Sequence, residues 1–250
     1  MTRWKAAGMH LMICGVIALT VLIIMLFVWY PEPYFDALGG KRLLMVLLGV
    51  DVTLGPLITL IIYNQRKRYL KFDLAVVAFL QISALIYGIT VLFNARPVYL
   101  VFTVDQFEVV RPKDIKQEEQ AKVDDDRFKS LSVFGPKLVT ALRPDKDIEE
   151  MNRILFSSLN GGPDLQAMPQ HYVPYEETTD LVRKKIKSLD DLPDFRSEFR
   201  EKVIEVARKE GYEPEEVGYL PVRAGNTFLT AIMDKKDADI IKMIAIDPWS

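Results

Sequence analysis

The hydrophobic pattern divides the chain near residue 95. Before that point three long apolar runs follow one another, at 9–30, 43–63 and 72–93. Each reaches the ~20 residues that a helix needs to cross a bilayer. Beyond it, apolar residues come in short alternating or helical groups. "PVYLVFTVDQFEVV" (97–110) is β-branched and aromatic and reads as strand entered directly from the third run. Helical spacing predicts helices at 147–159 (Ile148, Met151, Ile154, Leu155, Leu159), 177–187 and 194–209 (Phe195, Phe199, Val203, Val206), with Gly211 placed to end the last. Strands are predicted at 217–223, 226–233 and 240–246, the last two joined by a polar hairpin loop over Lys235–Asp239. The charged stretch 113–126 reads as surface helix or linker. The expected architecture is a three-helix transmembrane region (1–94) followed by an extracytoplasmic α+β domain (95–250), with an antiparallel sheet covered by helices.

Charge sharpens the division and gives it a direction. Residues 1–96 hold 9 Lys/Arg and 4 Asp/Glu, whereas residues 97–250 hold 23 and 30. An acidic second part argues against nucleic acid as a partner. Arg3 and Lys5 precede the first run, and Arg66, Lys67, Arg68 and Lys71 crowd the loop between the second and third. Basic loops stay cytoplasmic, so the amino terminus is expected inside, with residues from about 94 onward outside. In a bacterium with two membranes that means an inner-membrane protein with a periplasmic domain. The first run is too long for a cleaved signal, and no small-x-small site follows it.

Catalytic chemistry finds little support. The one cysteine, Cys14, lies in the first apolar run, so the second part has no thiol for a disulfide, a metal or a nucleophile. His171 is the one histidine there, and no serine sits in a Gly-x-Ser-x-Gly elbow. Gly161-Gly162-Pro163-Asp164 lacks the Lys-Ser/Thr ending of a phosphate loop and reads as a turn. His171, Tyr172 and Tyr175 read as packing an irregular segment against the sheet; the competing reading is a contact segment for a partner, made of Gly161, Gly162, Pro163 and Asp164 with His171, Tyr172 and Tyr175. No cofactor or metal motif is present, and the chain is not expected to be an enzyme.

The second run carries the exception to an apolar interior. Asp51 falls about 3 Å from its midpoint at 1.5 Å per residue, where an unpaired charge costs from about 2.5 to above 10 kcal/mol. No cation of the chain reaches that depth. Gln81 of the third run lies within about 5 Å of it along the membrane normal, so a protonated Asp51 hydrogen-bonded to Gln81 is one reading. Asp51, Gly55 and Thr59 recur every four residues, while Gly49, Thr53 and Pro56 form a second small-residue stripe on nearly the opposite side. Small residues allow helices to approach closely. Pro56 cannot bond the carbonyl of Val52 and is expected to kink the helix. The competing reading of Asp51 is a groove that receives a guest helix.

Several stretches in order, "FVWYPEPYFDALGG" (27–40), "LLGVDVTLGPLITLIIYN" (47–64), "KFDLAVVAFLQISALIYG" (71–88), "ARPVYLVFTVDQFEVV" (95–110), "NGGPDLQAMPQHYVPYE" (160–176) and "IDPW" (246–249), resemble the TfpX/TfpZ family of type IV pilin accessory proteins. The resemblance covers nearly the whole chain. It implies an inner-membrane protein that assists the stability, presentation or assembly of a specific pilin, with the major pilin, other pilus assembly components and the lipid bilayer as partners. It implies no catalytic residue. Under it, the guest helix at Asp51 would be the apolar N-terminal helix of a pilin, which typically brings a free amine and a glutamate. The alternatives are a membrane-anchored sensor or subunit of an envelope complex, and a membrane enzyme or transporter.

Overall fold

In the computed structural model, which describes residues 2–193 and 196–249, the three apolar runs form α1 (Arg3–Trp29), α2 (Gly40–Ile62) and α3 (Leu70–Ala95). All three are long and apolar enough to cross a membrane. Their limits follow from local chemistry. Tyr30, at φ −128° and ψ 66°, ends α1 just before Pro31, and Gly39 supplies the left-handed backbone (φ 71°) from which α2 starts. The second helix is the middle one: α1 packs along its Gly55–Ile62 half, and α3 packs against it over most of its length.

The remainder is built on one eight-stranded sheet: β1 (Tyr99–Thr103), β2 (Gln106–Val110), β3 (Lys137–Ala141), β4 (Tyr172–Pro174), β5 (Lys187–Ser188), β6 (Val217–Ala224), β7 (Thr227–Asp234) and β8 (Ile240–Ile244). The order is β4-β3-β1-β2-β6-β7-β8, with β5 also on β6. Two long helices join it, α4 (Ile148–Leu159) and α5 (Ser197–Lys209). Strand alternation divides the core between two faces. Leu100, Phe102, Phe107, Val109, Leu220 and Val222 point to one. Tyr99, Val101, Val110 and Val139 point to the other, against Phe128, Leu165, Met168 and Tyr172. Farther along that second face, Val217, Tyr219 and Ile232 take Phe199, Val203 and Ala207 of α5.

Several expectations change. The sheet is mixed, not antiparallel, because β1 pairs parallel to β3 and β2 parallel to β6. The stretch 97–110 is a hairpin, not one strand: Thr103 pairs with Gln106 across a two-residue turn in which Val104 takes φ 46°. A β-branched residue is a poor occupant of that conformation, so the turn leaves no signature in the sequence. The predicted helix at 177–187 is a 3-10 turn Tyr175–Thr178 and a short helix Thr179–Arg183, followed by β5. In the predicted helix at 194–209, Phe195 lies outside the described residues, and the described helix begins at Ser197. Gly211, at φ 90°, follows its end as expected. The stretch 113–126 holds only short turns, one of them the helix Gln117–Gln120. The apolar residues of α4 largely face outward: Ile154 is buried, whereas Ile148, Leu155, Phe156 and Leu159 are exposed.

The helices and the sheet are joined by more than the chain. Tyr34, from the loop between α1 and α2, is buried in the core of the first sheet face, and its hydroxyl donates to Met243 Sδ at 3.5 Å. The Tyr30 hydroxyl donates to the carbonyl of Leu92 at 2.7 Å, tying the end of α1 to the end of α3. Gly135 N–H donates to the carbonyl of Val28 at 2.9 Å. Arg96, itself buried, donates to the carbonyl of Ser132 at 3.0 Å and lies over the Phe93 ring.

Candidate functional site

Asp51 and Gln81 meet between the helices, but not through the expected bond. Gln81 Nε2 donates to the backbone carbonyl of Asp51 at 3.4 Å. The cause lies in Pro56. Residues Val50–Leu54 form a π-helical turn, in which each carbonyl faces the residue five positions on. The Asp51 carbonyl therefore faces Pro56, which has no N–H to give. Gln81 supplies the missing donor. Gly55 makes this possible: a Cβ there would stand 1.9 Å from Gln81 Nε2.

The carboxyl group itself is left over. Asp51 is 92% buried, since 8% of its surface is exposed, and neither Oδ1 nor Oδ2 has a hydrogen-bond partner among the described residues. Gln81 Oε1 is likewise unpartnered. Leaving such groups buried and unpaired costs about 1–3 kcal/mol each, more for a charge. Two apolar grooves run to this point. One, about 290 Å³, lies between α1 and α3 over α2 and is lined by His10, Cys14, Ile17, Asp51, Gln81 and Leu85 among others. A cavity of about 220 Å³ that shares His10, Ile13 and Ala78 extends it. The other, about 310 Å³, runs along α2 and α3 from Arg42 to Asp51 past Val46, Val50 and Gly88.

The two small-residue stripes have different fates. Asp51, Gly55 and Thr59 are all buried. On the other, Gly49 and Thr53 are exposed and Pro56 is buried; a Cβ on Gly49 would meet nothing within 4 Å. Two further members of the seam come from α1. His10 Nδ1 lies 2.6 Å from Thr59 Oγ1, and Cys14 Sγ lies 4.0 Å from Gln81 Nε2. Their spacing of four, facing the spacing of four in Asp51, Gly55 and Thr59 on the antiparallel neighbour, is the signal that would have found them.

In the sheet domain the sequence candidates separate. Tyr172 and Tyr175 are core residues: Tyr172 packs edge-on against Tyr99 and Phe128, and the Tyr175 hydroxyl donates to the carbonyl of Ala238. Their rings are therefore closed to a partner. His171 Nε2 lies 2.9 Å from Glu150 Oε1, and Glu150 also accepts from Arg153. Gly161, Gly162, Pro163 and Asp164 form the turn after α4: Gly161 takes φ 72°, and the Pro163 carbonyl accepts from Ser157 Oγ at 2.6 Å. That turn borders a depression of about 430 Å³ with Lys113, Lys116 and Arg223. A cleft of about 620 Å³ adjoins it, sharing Glu108, Asp164 and Arg223 and reaching Leu155 on α4. Burial pushes the Glu108 carboxyl above its usual range, against the pull of Arg223. Among the described residues no group of three or more His, Cys, Asp or Glu is placed to hold a metal ion.

The sequence of this three-helix and mixed-sheet chain has clear relatives. The profile of the fimbrial assembly protein FimB family matches residues 1–39, which comprise α1 and the loop carrying Tyr34. The fimbrial assembly protein of Dichelobacter nodosus serogroup E1 is 29% identical over 248 residues, covering 98% of this chain and 95% of the relative. The serogroup I protein of the same organism matches at the same identity and coverage. The protein of serogroups C1 and C2 is 36% identical over 117 residues, 46% of this chain and 89% of the relative. The chain belongs to the fimbrial assembly protein family. No solved structure matches it. The serogroup E1 and I relatives align with both the helices and the sheet of this chain, so the relationship is not confined to the apolar region. A role in fimbrial biogenesis follows from that relationship.

Proposed function

We propose that this fimbrial assembly protein is a non-enzymatic accessory of type IV pilus biogenesis. It sits in the bacterial inner membrane with its amino terminus in the cytoplasm and its sheet domain in the periplasm. There it holds the apolar helix of a pilin against α2 before assembly. The observation that carries this reading is the Asp51 carboxyl, buried and without a hydrogen-bond partner among the described residues, on a residue that lines two apolar grooves. A guest helix bringing an amine or another donor to that depth would satisfy it, and the apolar walls would take the helix's side chains. In a bilayer that gain is large, because no water competes for the carboxyl. The TfpX/TfpZ resemblance supports the assignment to type IV pili, and the four basic residues at 66–71 support the orientation. The exposed Leu155, which lines the 620 Å³ cleft, and the exposed Phe156 and Leu159 of the same helix offer a second contact, to the soluble part of the same subunit.

The test is capture of the host's own pilin by the detergent-solubilised protein. Asp51→Asn keeps the shape and removes the charge, so it is expected to lower the pilin recovered at unchanged level of the fimbrial assembly protein. Undiminished capture by that variant would overturn the role given to Asp51.

A further inference from the structure

The segment 132–136 carries two exposed apolar residues on a backbone that is fixed, not loose. At one side the Ser132 carbonyl accepts from Arg96 Nε at 3.0 Å, and the Arg96 guanidinium lies 3.5 Å from the centroid of the Phe93 ring. At the other side Gly135 N–H donates to the carbonyl of Val28 at 2.9 Å. Gly135 takes φ 63° and its Cβ position lies 3.3 Å from Pro31 Cγ, so the close approach suits glycine alone. Between these ties Val133 is 42% exposed and Phe134 is 82% exposed.

Both ties go to the ends of apolar helices. Val28 is the penultimate residue of α1, and Arg96 follows the last residue of α3. Trp29 and Phe93, whose rings meet edge-on at 5.3 Å, mark the same level. The headgroup layer on each side of a bilayer is about 5–7 Å thick, the difference between the whole bilayer and its hydrocarbon core shared over two faces. Backbone bonded to Val28 stands within that layer, and aromatic rings favour it. A Phe ring held at this depth and facing away from the protein meets lipid wherever α1 and α3 are embedded.

We infer that the loop 132–136 lies in the outer interfacial layer of the bilayer, with Phe134 as a lipid-facing anchor of the sheet domain. The inference rests on the membrane-spanning reading of α1–α3. Its occupant is the lipid surface, not a protein, because the loop is fixed at a level where lipid surrounds the helices.

The test uses the full chain in Cys14→Ala background, reconstituted alone into phosphatidylethanolamine–phosphatidylglycerol vesicles. A nitroxide is placed at Phe134→Cys, and its accessibility to oxygen is compared with that to a water-soluble nickel chelate. Phe79→Cys, 70% exposed in α3, serves as the lipid reference, and Asp126→Cys, whose side chain is 91% exposed, as the water reference. The oxygen-to-nickel ratio at 134 is expected to exceed that at 126 several-fold, and Val133→Cys is expected to repeat the result should the first variant fold poorly. A ratio at 133 and 134 equal to that at 126, with 79 reading lipid, overturns the inference alone. A water-like ratio at 79 overturns the membrane reading and the inference with it.

Discussion

Gln81 bonds the backbone of Asp51 at 3.4 Å, and the Asp51 carboxyl finds no hydrogen-bond partner among the described residues. The backbone and the side chain of one residue thus have separate fates. The carbonyl orphaned by Pro56 is satisfied inside the bundle, whereas the carboxyl has no hydrogen-bond partner among the described residues. Changing Gln81 and changing Asp51 should accordingly have different consequences, the first for stability and the second for capture.

Gly55→Ala is expected to destabilise the helical region by about 1–3 kcal/mol, the usual cost of forcing extra volume into a packed contact. The added methyl occupies the position of the Gln81 amide. Combining it with Gln81→Ala should cost less than the sum of the two single changes. Denaturation of the four proteins in detergent, arranged as a double-mutant cycle, gives the coupling; simple additivity would show that the clash is relieved elsewhere.

Tyr30→Phe removes the hydroxyl that bonds the Leu92 carbonyl inside the protein. A loss of about 1 kcal/mol is expected. The same denaturation experiment reads it, and an unchanged midpoint would show that α1 and α3 are held together at that end by packing alone.

Tyr34→Ala empties a core position of the sheet and is expected to cost roughly 3–5 kcal/mol, as for other large aromatic deletions. Tyr34→Phe keeps the ring and loses only the contact to Met243 Sδ, so it should be nearly neutral. Limited proteolysis should release the sheet domain from the helices faster in the first variant than in the second.

Acid should weaken the sheet domain through Glu150. The Arg153 guanidinium, with help from His171 and against the effect of burial, holds its carboxyl down to about 2. Burial pushes Glu119 up, yet hydrogen bonds from Arg153, Lys122 and Gln170 leave it below its usual range. Unfolded glutamate titrates near 4.3, so the stabilisation is complete above about pH 4.5 and disappears as the pH falls towards 2. Denaturation midpoints of the full chain from pH 7 down to 2.5 should fall over that window, and Glu150→Gln should start lower and fall less.

The three apolar helices and the C-terminal hairpin were legible because their signals are local. A run of 20 apolar residues, or two β-branched stretches around Lys235–Asp239, identifies itself. The parallel pairs β1–β3 and β2–β6 were not, since Leu100 opposite Leu138 and Phe107 opposite Val222 are agreements between distant positions. Val104 concealed a turn by being the wrong residue for one. In the candidate site, depth arithmetic brought Asp51 and Gln81 together correctly. What it could not supply was the π-helical turn, and therefore the backbone carbonyl as the atom that Gln81 serves. The tyrosines at 172 and 175 were ambiguous for a different reason: an aromatic-rich irregular segment has the same composition whether its rings turn inward or outward.

Tyr34 belongs to the helices by sequence and to the sheet by packing. The chain consequently has no free swivel between its two halves. Any displacement of α1 relative to α3 would pull on the 31–38 loop and so on a residue in the middle of the sheet's core. The spacing of the apolar helices and the posture of the sheet domain are then one mechanical variable, set from either end.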